Sequence, residues 1–253
     1  MRDFLVARLG PLGATGVDRQ LAAGGFVDQS GNPWRGDEAY RPNTFVWFHR
    51  ELRAEPEVPF EVGIVHREER FVIADKPHFL ATIPRGRHVV QSLVVRLRTA
   101  LALPELGPAH RLDRLTAGLV LLTTERRWRA AYQGLFERRE VRKTYRAIAA
   151  YDPGLELPRR LGGHIVKRRG RLQAELVPGA PDNADTWLEL VGRHGDWAQY
   201  QLTPTTGRTH QLRVQLNALG LPIVGDPLYP VEREVSIDDF TTPLRLRRHP
   251  GVP

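Results

Sequence analysis

His110-Arg111-Leu112-Asp113-Arg114-Leu115-Thr116-Ala117-Gly118-Leu119-Val120-Leu121-Leu122 is the most informative stretch of this 253-residue chain. A charged, glycine-containing segment runs straight into the apolar series Leu119 to Thr124. A continuous apolar run of that length is the mark of a strand buried on both faces. The segment before it is then a loop at a rigid strand entrance. Asp113 sits between Arg111 and Arg114, and nearby cations favour an ionised carboxylate. Such a group can act as a nucleophile or a base. A loop-closing ion pair is the bland alternative.

Outward from this segment, grouped strands alternate with helices. Phe71-Val72-Ile73-Ala74 is a strand that leads into Asp75-Lys76-Pro77. Arg126 to Glu137 has helical spacing, with Trp128, Tyr132, Leu135 and Phe136 on one side. Thr144 to Ala149 returns to strand. Asp185 to Leu190 and Trp197 to Thr203 form a hairpin across Gly192–Asp196. Arg208 to Leu219 is helical, and Gly220 ends it. This order predicts an α+β domain on a mixed, mostly antiparallel sheet, over residues 61–235.

Before that domain lies a small N-terminal extension, residues 1–55. Phe4 to Leu9 starts one helix. Val17 to Ala23 makes a second that Gly24-Gly25 stops, and Thr44 to Phe48 is a strand. The pattern resembles a degenerate S4-type RNA-binding module, although only Arg8 and Arg19 supply a basic face; a plain packing extension is the other reading. Residues 51–60 hold three glutamates and two prolines without an apolar period and read as a linker. A C-terminal tail, 236–253, carries the basic cluster Arg245-Leu246-Arg247-Arg248-His249.

Apolar residues make up 41% and charged residues 26%, enough for one large core with an appendage. There are no cysteines, which excludes disulfides and thiolate metal sites. No signal peptide is expected behind Met1-Arg2-Asp3-Phe4, and no stretch nears the roughly 20 apolar residues of a membrane helix. A cytoplasmic location fits. The net charge is +8, more from arginine than lysine, and favours polyanions. A solvated surface of like charges is the competing explanation.

Several separated segments resemble one known family. His110-Arg111-Leu112-Asp113 with Thr116 and Gly118-Leu119 is similar to the signature of the RluA family of RNA pseudouridine synthases. Collinear with it are Phe71 to Pro77, Lys143-Thr144-Tyr145, Gly207-Arg208-Thr209-His210-Gln211-Leu212-Arg213-Val214 and Ile223-Val224-Gly225-Asp226-Pro227-Leu228-Tyr229. The resemblance spans roughly 61–230. It departs where the family has Ser at Ala117 and His at Gln215.

The resemblance implies a pseudouridine synthase fold with a central RNA-binding cleft. It implies isomerisation of uridine in structured ribosomal or transfer RNA by a cytoplasmic enzyme, taken as a monomer. No cofactor, metal or membrane partner is implied. Asp113 is then the essential carboxylate, Arg213 the guanidinium that aims it bidentately, and Tyr145 the ring that stacks on the target base. Arg111 fills the space of a flipped nucleotide. His110, Lys76, Lys143, Arg208 and His210 are candidate RNA contacts or cleft supports. The basic loop Lys167-Arg168-Arg169-Gly170-Arg171 is a candidate phosphate-binding rim. Asp226 and Tyr229 read as packing and loop closure. Two other functions stay open: an inactive RNA-binding protein of the same fold, and a glycoside hydrolase that would need a second acid, Asp75 or Asp226, opposite Asp113.

Overall fold

A computed structural model describes residues 1–49, 54–86 and 88–229. The tail 236–253, with its basic cluster, and part of the linker lie outside the described residues. The chain divides into two compact units, one ending at Ala54 and one beginning at Glu55.

In the first unit, helix α1 (Arg2–Arg8) carries Asp3 in its first turn and Arg8 in its last, the arrangement that suits a helix dipole. Helix α2 (Gly13–Ala22) opens earlier than its apolar spacing suggested, and Gly24 at φ +67° turns the chain away from it. The Arg2 guanidinium ties the two helices by donating to Asp18 at 2.8 Å. Strand β1 (Phe26–Val27) pairs antiparallel with β2 (Trp47–Phe48). The expected strand Thr44–Phe48 is therefore shorter, since only its last two residues find a backbone partner. Leu5, Val17, Leu21, Phe26 and Trp34 form the core.

The second unit holds two four-stranded sheets. The first has the order β3 (Gly63–Arg67), β4 (Phe71–Lys76), β6 (Gly118–Thr123), β5 (Gly107–Pro108). The second has the order β7 (Tyr145–Ala150), β12 (Trp197–Pro204), β11 (Ala184–His194), β8 (Arg159–Gly163). A separate ladder joins β9 (Ile165–Val166) to β10 (Glu175–Leu176). Among the described residues every strand pair is antiparallel. Helix α3 (Leu93–Leu101) follows β4, α4 (Arg126–Glu137) joins β6 to β7, and α5 (Gln211–Ala218) follows β12. The α+β class read from the sequence is the class observed.

Each sheet buries one face. Val72 and Ala74 of β4 stand beside Leu122 and Val120 of β6, and all four pack on Leu93, Val94 and Leu97 of α3. In β12, Ala198, Tyr200 and Leu202 alternate with half-buried residues and meet Ala147, Ala149, Leu188 and Leu216. One expectation needs correction here. The apolar run 119–124 is not buried on both faces, because Leu119 is 57% exposed. Leu119 pairs with exposed Asp75, and both alternate with Val120 and Ala74, so they lie on the sheet face turned away from α3. The linker reading is also corrected from Glu55 onward. The Glu55 carboxylate accepts the N–H groups of Val89, Val90 and Gln91, and Val58 enters the core. Burial alone would raise the Glu55 pKa, but those amides hold it below the ordinary range.

Gly118 begins β6 at φ +127°, a conformation that L side chains rarely adopt. A Cβ there would meet only Leu112 Cδ1 at 3.9 Å, so the constraint is backbone rather than space. Gly118→Ala is expected to destabilise the second unit by roughly 1–3 kcal/mol. Urea unfolding measures this, and an unchanged midpoint would show that the strand entrance relaxes freely.

Candidate active site

The loop between β5 and β6 is held from below by groups distant in sequence. The Thr82 hydroxyl donates to the Leu112 carbonyl at 2.8 Å and accepts the Leu112 N–H at 3.2 Å. The His78 Nδ1 lies 2.7 Å from the Leu115 carbonyl oxygen. The Lys76 ammonium donates to the carbonyls of Pro77 at 3.0 Å, Leu80 at 2.9 Å and Arg114 at 3.4 Å. The Thr116 N–H donates to the Asp113 carbonyl at 3.0 Å and closes a turn. These bonds fix the backbone on both sides of Asp113, whose side chain keeps 31% of its surface open.

Opposite stands α5, which begins three residues later than its spacing suggested. Arg208, Thr209 and His210 form a turn, with His210 at φ 58°. The buried Gln211 side chain organises that turn. Its oxygen accepts from the Arg208 N–H at 2.9 Å and the Thr206 hydroxyl at 2.8 Å. Its amide donates to the Asp185 carbonyl at 3.1 Å and the Thr186 hydroxyl at 2.9 Å. One turn on, Gln215 accepts from Thr186 at 2.7 Å and donates to the Leu161 carbonyl at 2.9 Å. Gln215 therefore binds α5 to the second sheet.

Arg213 projects from α5 toward the loop. Its Nη1 donates to Asp113 Oδ2 at 3.3 Å. Its Nε and Nη2 donate to the two oxygens of Asp226, at 2.6 and 2.8 Å. The expected bidentate pair thus exists, but with Asp226 rather than Asp113. Burial would pull the Arg213 pKa down; Asp226 first, and then Asp113, more than offset it and keep the guanidinium charged. His210 Nε2 lies 3.8 Å from Asp113 Oδ2, and its Nδ1 lies 3.2 Å from the Tyr229 hydroxyl. Burial holds His210 below its ordinary pKa, against the pull of Asp113.

Asp113, Tyr145 and Arg213 line one cleft of about 2370 Å³. Arg111, His110, Lys143, Lys167, Arg208 and His210 line it as well. Burial, reinforced by Asp113, raises the pKa of the Tyr145 hydroxyl, which keeps it protonated. The Lys143 ammonium donates to the Thr206 carbonyl at 3.2 Å, and burial, then Arg139, lowers its pKa.

Lys76, Arg168 and Arg169 lie differently from expectation, and His110 takes the structural alternative. Lys76 has no exposed surface and stands behind the loop instead of in the cleft. Burial lowers its pKa to about 8 despite the attraction of Asp113. His110 stacks on Phe136 at 4.3 Å, and its Nε2 accepts the Leu121 N–H at 3.2 Å. With burial and then Lys143 lowering its pKa to about 4, it is a neutral structural acceptor. Arg168 and Arg169 are absent from the cleft wall, and Arg168 pairs with Glu175 at 3.4 Å on the surface. Neither proposed second acid suits glycoside hydrolysis. Asp226 is clamped by Arg213, and Asp75 lies outside the cleft lining.

Asp226 and Tyr229 are the site residues that sequence reasoning undervalued. Tyr229 lies with its ring centre 5.3 Å from the Arg213 guanidinium carbon. Its hydroxyl accepts the Ala174 N–H at 2.9 Å. The available signal was their place in the Gly225-Asp226…Tyr229 segment, but nothing local to it points to Arg213.

Residues 70–218 match the family model described as RNA pseudouridylate synthase. An uncharacterized RNA pseudouridine synthase of Synechocystis is 30% identical over 185 residues, which cover 72% of this chain and 63% of that relative. The dual-specificity RNA pseudouridine synthase RluA of Pasteurella multocida is 30% identical over 184 residues, 66% of this chain and 77% of that protein. Among solved structures, the human protein RNA pseudouridylate synthase domain containing 4 superimposes with a TM-score of 0.54 at 26% identity. That match covers 68% of this chain and 70% of the human one. No helix among the described residues is long and apolar enough to cross a membrane. The family match over more than half of the chain, joined to a cleft floored by an Arg-bound aspartate, leaves one assignment: the chain belongs to the RluA-like RNA pseudouridine synthases, a family of isomerases.

Proposed function

We propose that this chain converts uridine to pseudouridine at chosen positions in structured ribosomal or transfer RNA, with Asp113 as the essential carboxylate. The single observation that carries this reading is the meeting of Asp113, Arg213 and Tyr145 around one cleft. In the reaction the C1′–N1 bond breaks, the uracil turns, and C5 bonds to C1′. The hydrogen on C5 leaves as a proton and N1 gains one, so the atoms balance without oxidant or reductant. Asp113 either attacks C1′ or removes the 2′ proton. Both roles need an ionised oxygen that faces the sugar.

A uridine paired within folded RNA must leave its stack to reach Asp113, at a cost of a few kcal/mol. Arg111 is exposed on the cleft wall and suits the vacated space, because a guanidinium plane stacks and also meets phosphate. Tyr145 is partly buried and protonated, which suits stacking on the extruded base. Lys143, Lys167, Arg208 and His210 are assigned to the RNA backbone or to bracing the walls. Lys76 and His110 are reassigned to the support of the Asp113 loop. We take the enzyme to be a cytoplasmic monomer. The first unit is proposed to influence target choice rather than chemistry. The competing reading, a binding protein without activity, is disfavoured because the three chemical side chains are present together.

Asp113→Asn keeps the size of the side chain and removes its charge. Tritium release from RNA labelled at uridine C5 is expected to vanish. RNA affinity should stay within about tenfold, or 1.4 kcal/mol. Full release by the variant would refute the assignment, and no release by the parent protein from any cellular RNA would favour the binding module.

Lys167 stands on the cleft wall and feels both Arg85 and Glu175. If it meets a phosphate, Lys167→Ala should weaken all RNAs alike and reduce the slope of log affinity against log salt by about one. Filter binding at several salt concentrations measures the slope; an unchanged value would remove Lys167 from the interface.

A further inference from the structure

The Arg213 guanidinium is fixed on its edge and against its face by one short segment. Asp226 takes Nε and Nη2 at 2.6 and 2.8 Å, and its Oδ1 also accepts the Leu228 N–H at 2.9 Å. Tyr229 lies against the guanidinium face, 5.3 Å from carbon to ring centre. The segment itself is anchored. The Val224 N–H donates to the Ile148 carbonyl at 2.8 Å and the Asp226 N–H to the Ile223 carbonyl at 3.0 Å. Side-chain exposure is 8% for Arg213 and 5% for Asp226, against 31% for Asp113. The tight pair is therefore buried, and the loose contact faces the cleft.

Two parallel N–H bonds fix a guanidinium in the plane of its carboxylate partner. Once Nε and Nη2 are committed, the remaining N–H directions on Nη1 are set. The Asp113 contact, at 3.3 Å, lies beyond the usual 2.7–3.2 Å range for this bond. A bidentate grip on Asp113 would occupy both of its oxygens and draw charge from each. A single long contact orients the carboxylate and leaves the other oxygen open.

We propose that Asp226 is a positioning residue of the reaction: by holding the far edge of Arg213, it limits that guanidinium to one weak, directional contact with Asp113. The inference rests on the reading of Asp113 as the reacting carboxylate. In this role Asp226 acts through Arg213, which takes both of its carboxylate oxygens. Without it, Arg213 is free to turn its fork onto Asp113 and quench it.

The test compares Asp226→Asn, which fits the buried space but lacks the charge, with Asp226→Glu, which keeps the charge in a longer side chain. Single-turnover rates with excess enzyme, on tritium-labelled bulk ribosomal and transfer RNA from cells that lack this protein, separate chemistry from binding. Asp226→Asn is expected to slow the saturated rate by about tenfold or more, with half-saturation little changed. Asp226→Glu should recover more of the rate than Asp226→Asn. A packing role gives the opposite order, because the isosteric amide disturbs the buried site less. That order, or a full rate in Asp226→Asn, overturns the proposal.

A second measurement does not require either variant to fold. In nitrogen-labelled protein, the Arg213 Nε–H resonance should be protected from exchange, both in the parent and in Asp113→Asn, because its partner is Asp226. Loss of that signal in Asp113→Asn would also overturn the proposal. Activity retained by Asp113→Asn would instead sink the underlying assignment while the resonance persists, so the two failures are distinguishable.

Discussion

The site depends on one guanidinium shared unequally between two carboxylates. Arg213 reaches Asp113 across 100 positions of sequence, and that contact joins the loop before β6 to helix α5. Two carboxylates this close to one cation would repel each other if the cation were absent. Breaking a buried ion pair by removing one partner leaves an uncompensated charge and typically costs about 3–5 kcal/mol. Arg213 is therefore gripped tightly by Asp226 and only loosely in contact with Asp113. The burial of the three groups follows this division.

The second sheet and the first sheet each contribute one side of that contact, and each is braced by buried polar groups. On the loop side these are Lys76 and Thr82, both almost fully buried. On the helix side they are Gln211 and Gln215, which run hydrogen bonds into Thr186, Asp185 and Leu161. Polar groups in such positions are costly if unsatisfied and directional if satisfied. An apolar core would hold the elements together but would not fix the rotation of α5 about its axis. The buried amides do, and that rotation decides where the Arg213 side chain points.

Much of this was legible in the sequence, for definable reasons. Helix α4 follows its apolar spacing to the residue, and β12 alternates cleanly because one face packs against α5 while the other does not. The motif around Asp113 locates a loop at a strand entrance without any contact information. Helix α3 is only weakly signalled, although Leu93, Val94 and Leu97 have helical spacing after Ser92. Its window is short and falls between loop-like segments. The partners of Thr82 and Asp226 were not legible. Thr82 meets Leu112 30 positions away, and Asp226 meets Arg213 13 positions away across a helix end. No periodicity encodes such pairings. Lys76 was misplaced and the two readings of His110 stayed open for a related reason: a cationic or titratable residue beside a reactive motif looks like a ligand contact. Only burial reveals that Lys76 spends its hydrogen bonds on backbone carbonyls and His110 on a strand amide.

The charge of the chain now has a spatial meaning. A chain of net charge +8 favours polyanions such as RNA, whereas the proposed chemistry uses a carboxylate. These demands conflict unless the charges are zoned. The cationic residues Arg111, Lys143, Lys167 and Arg208 line the cleft, which suits the phosphates of the proposed RNA substrate. The floor is different. Asp113 and Asp226 together bring two carboxylates to a single arginine, and burial holds His210 below its ordinary pKa. Glycosidic cleavage builds positive charge on the sugar, and an anionic floor lowers its energy. A second cation facing Asp113 directly would strengthen RNA binding but oppose that charge. The pairing of Arg213 with Asp226 keeps the floor anionic while the walls remain basic.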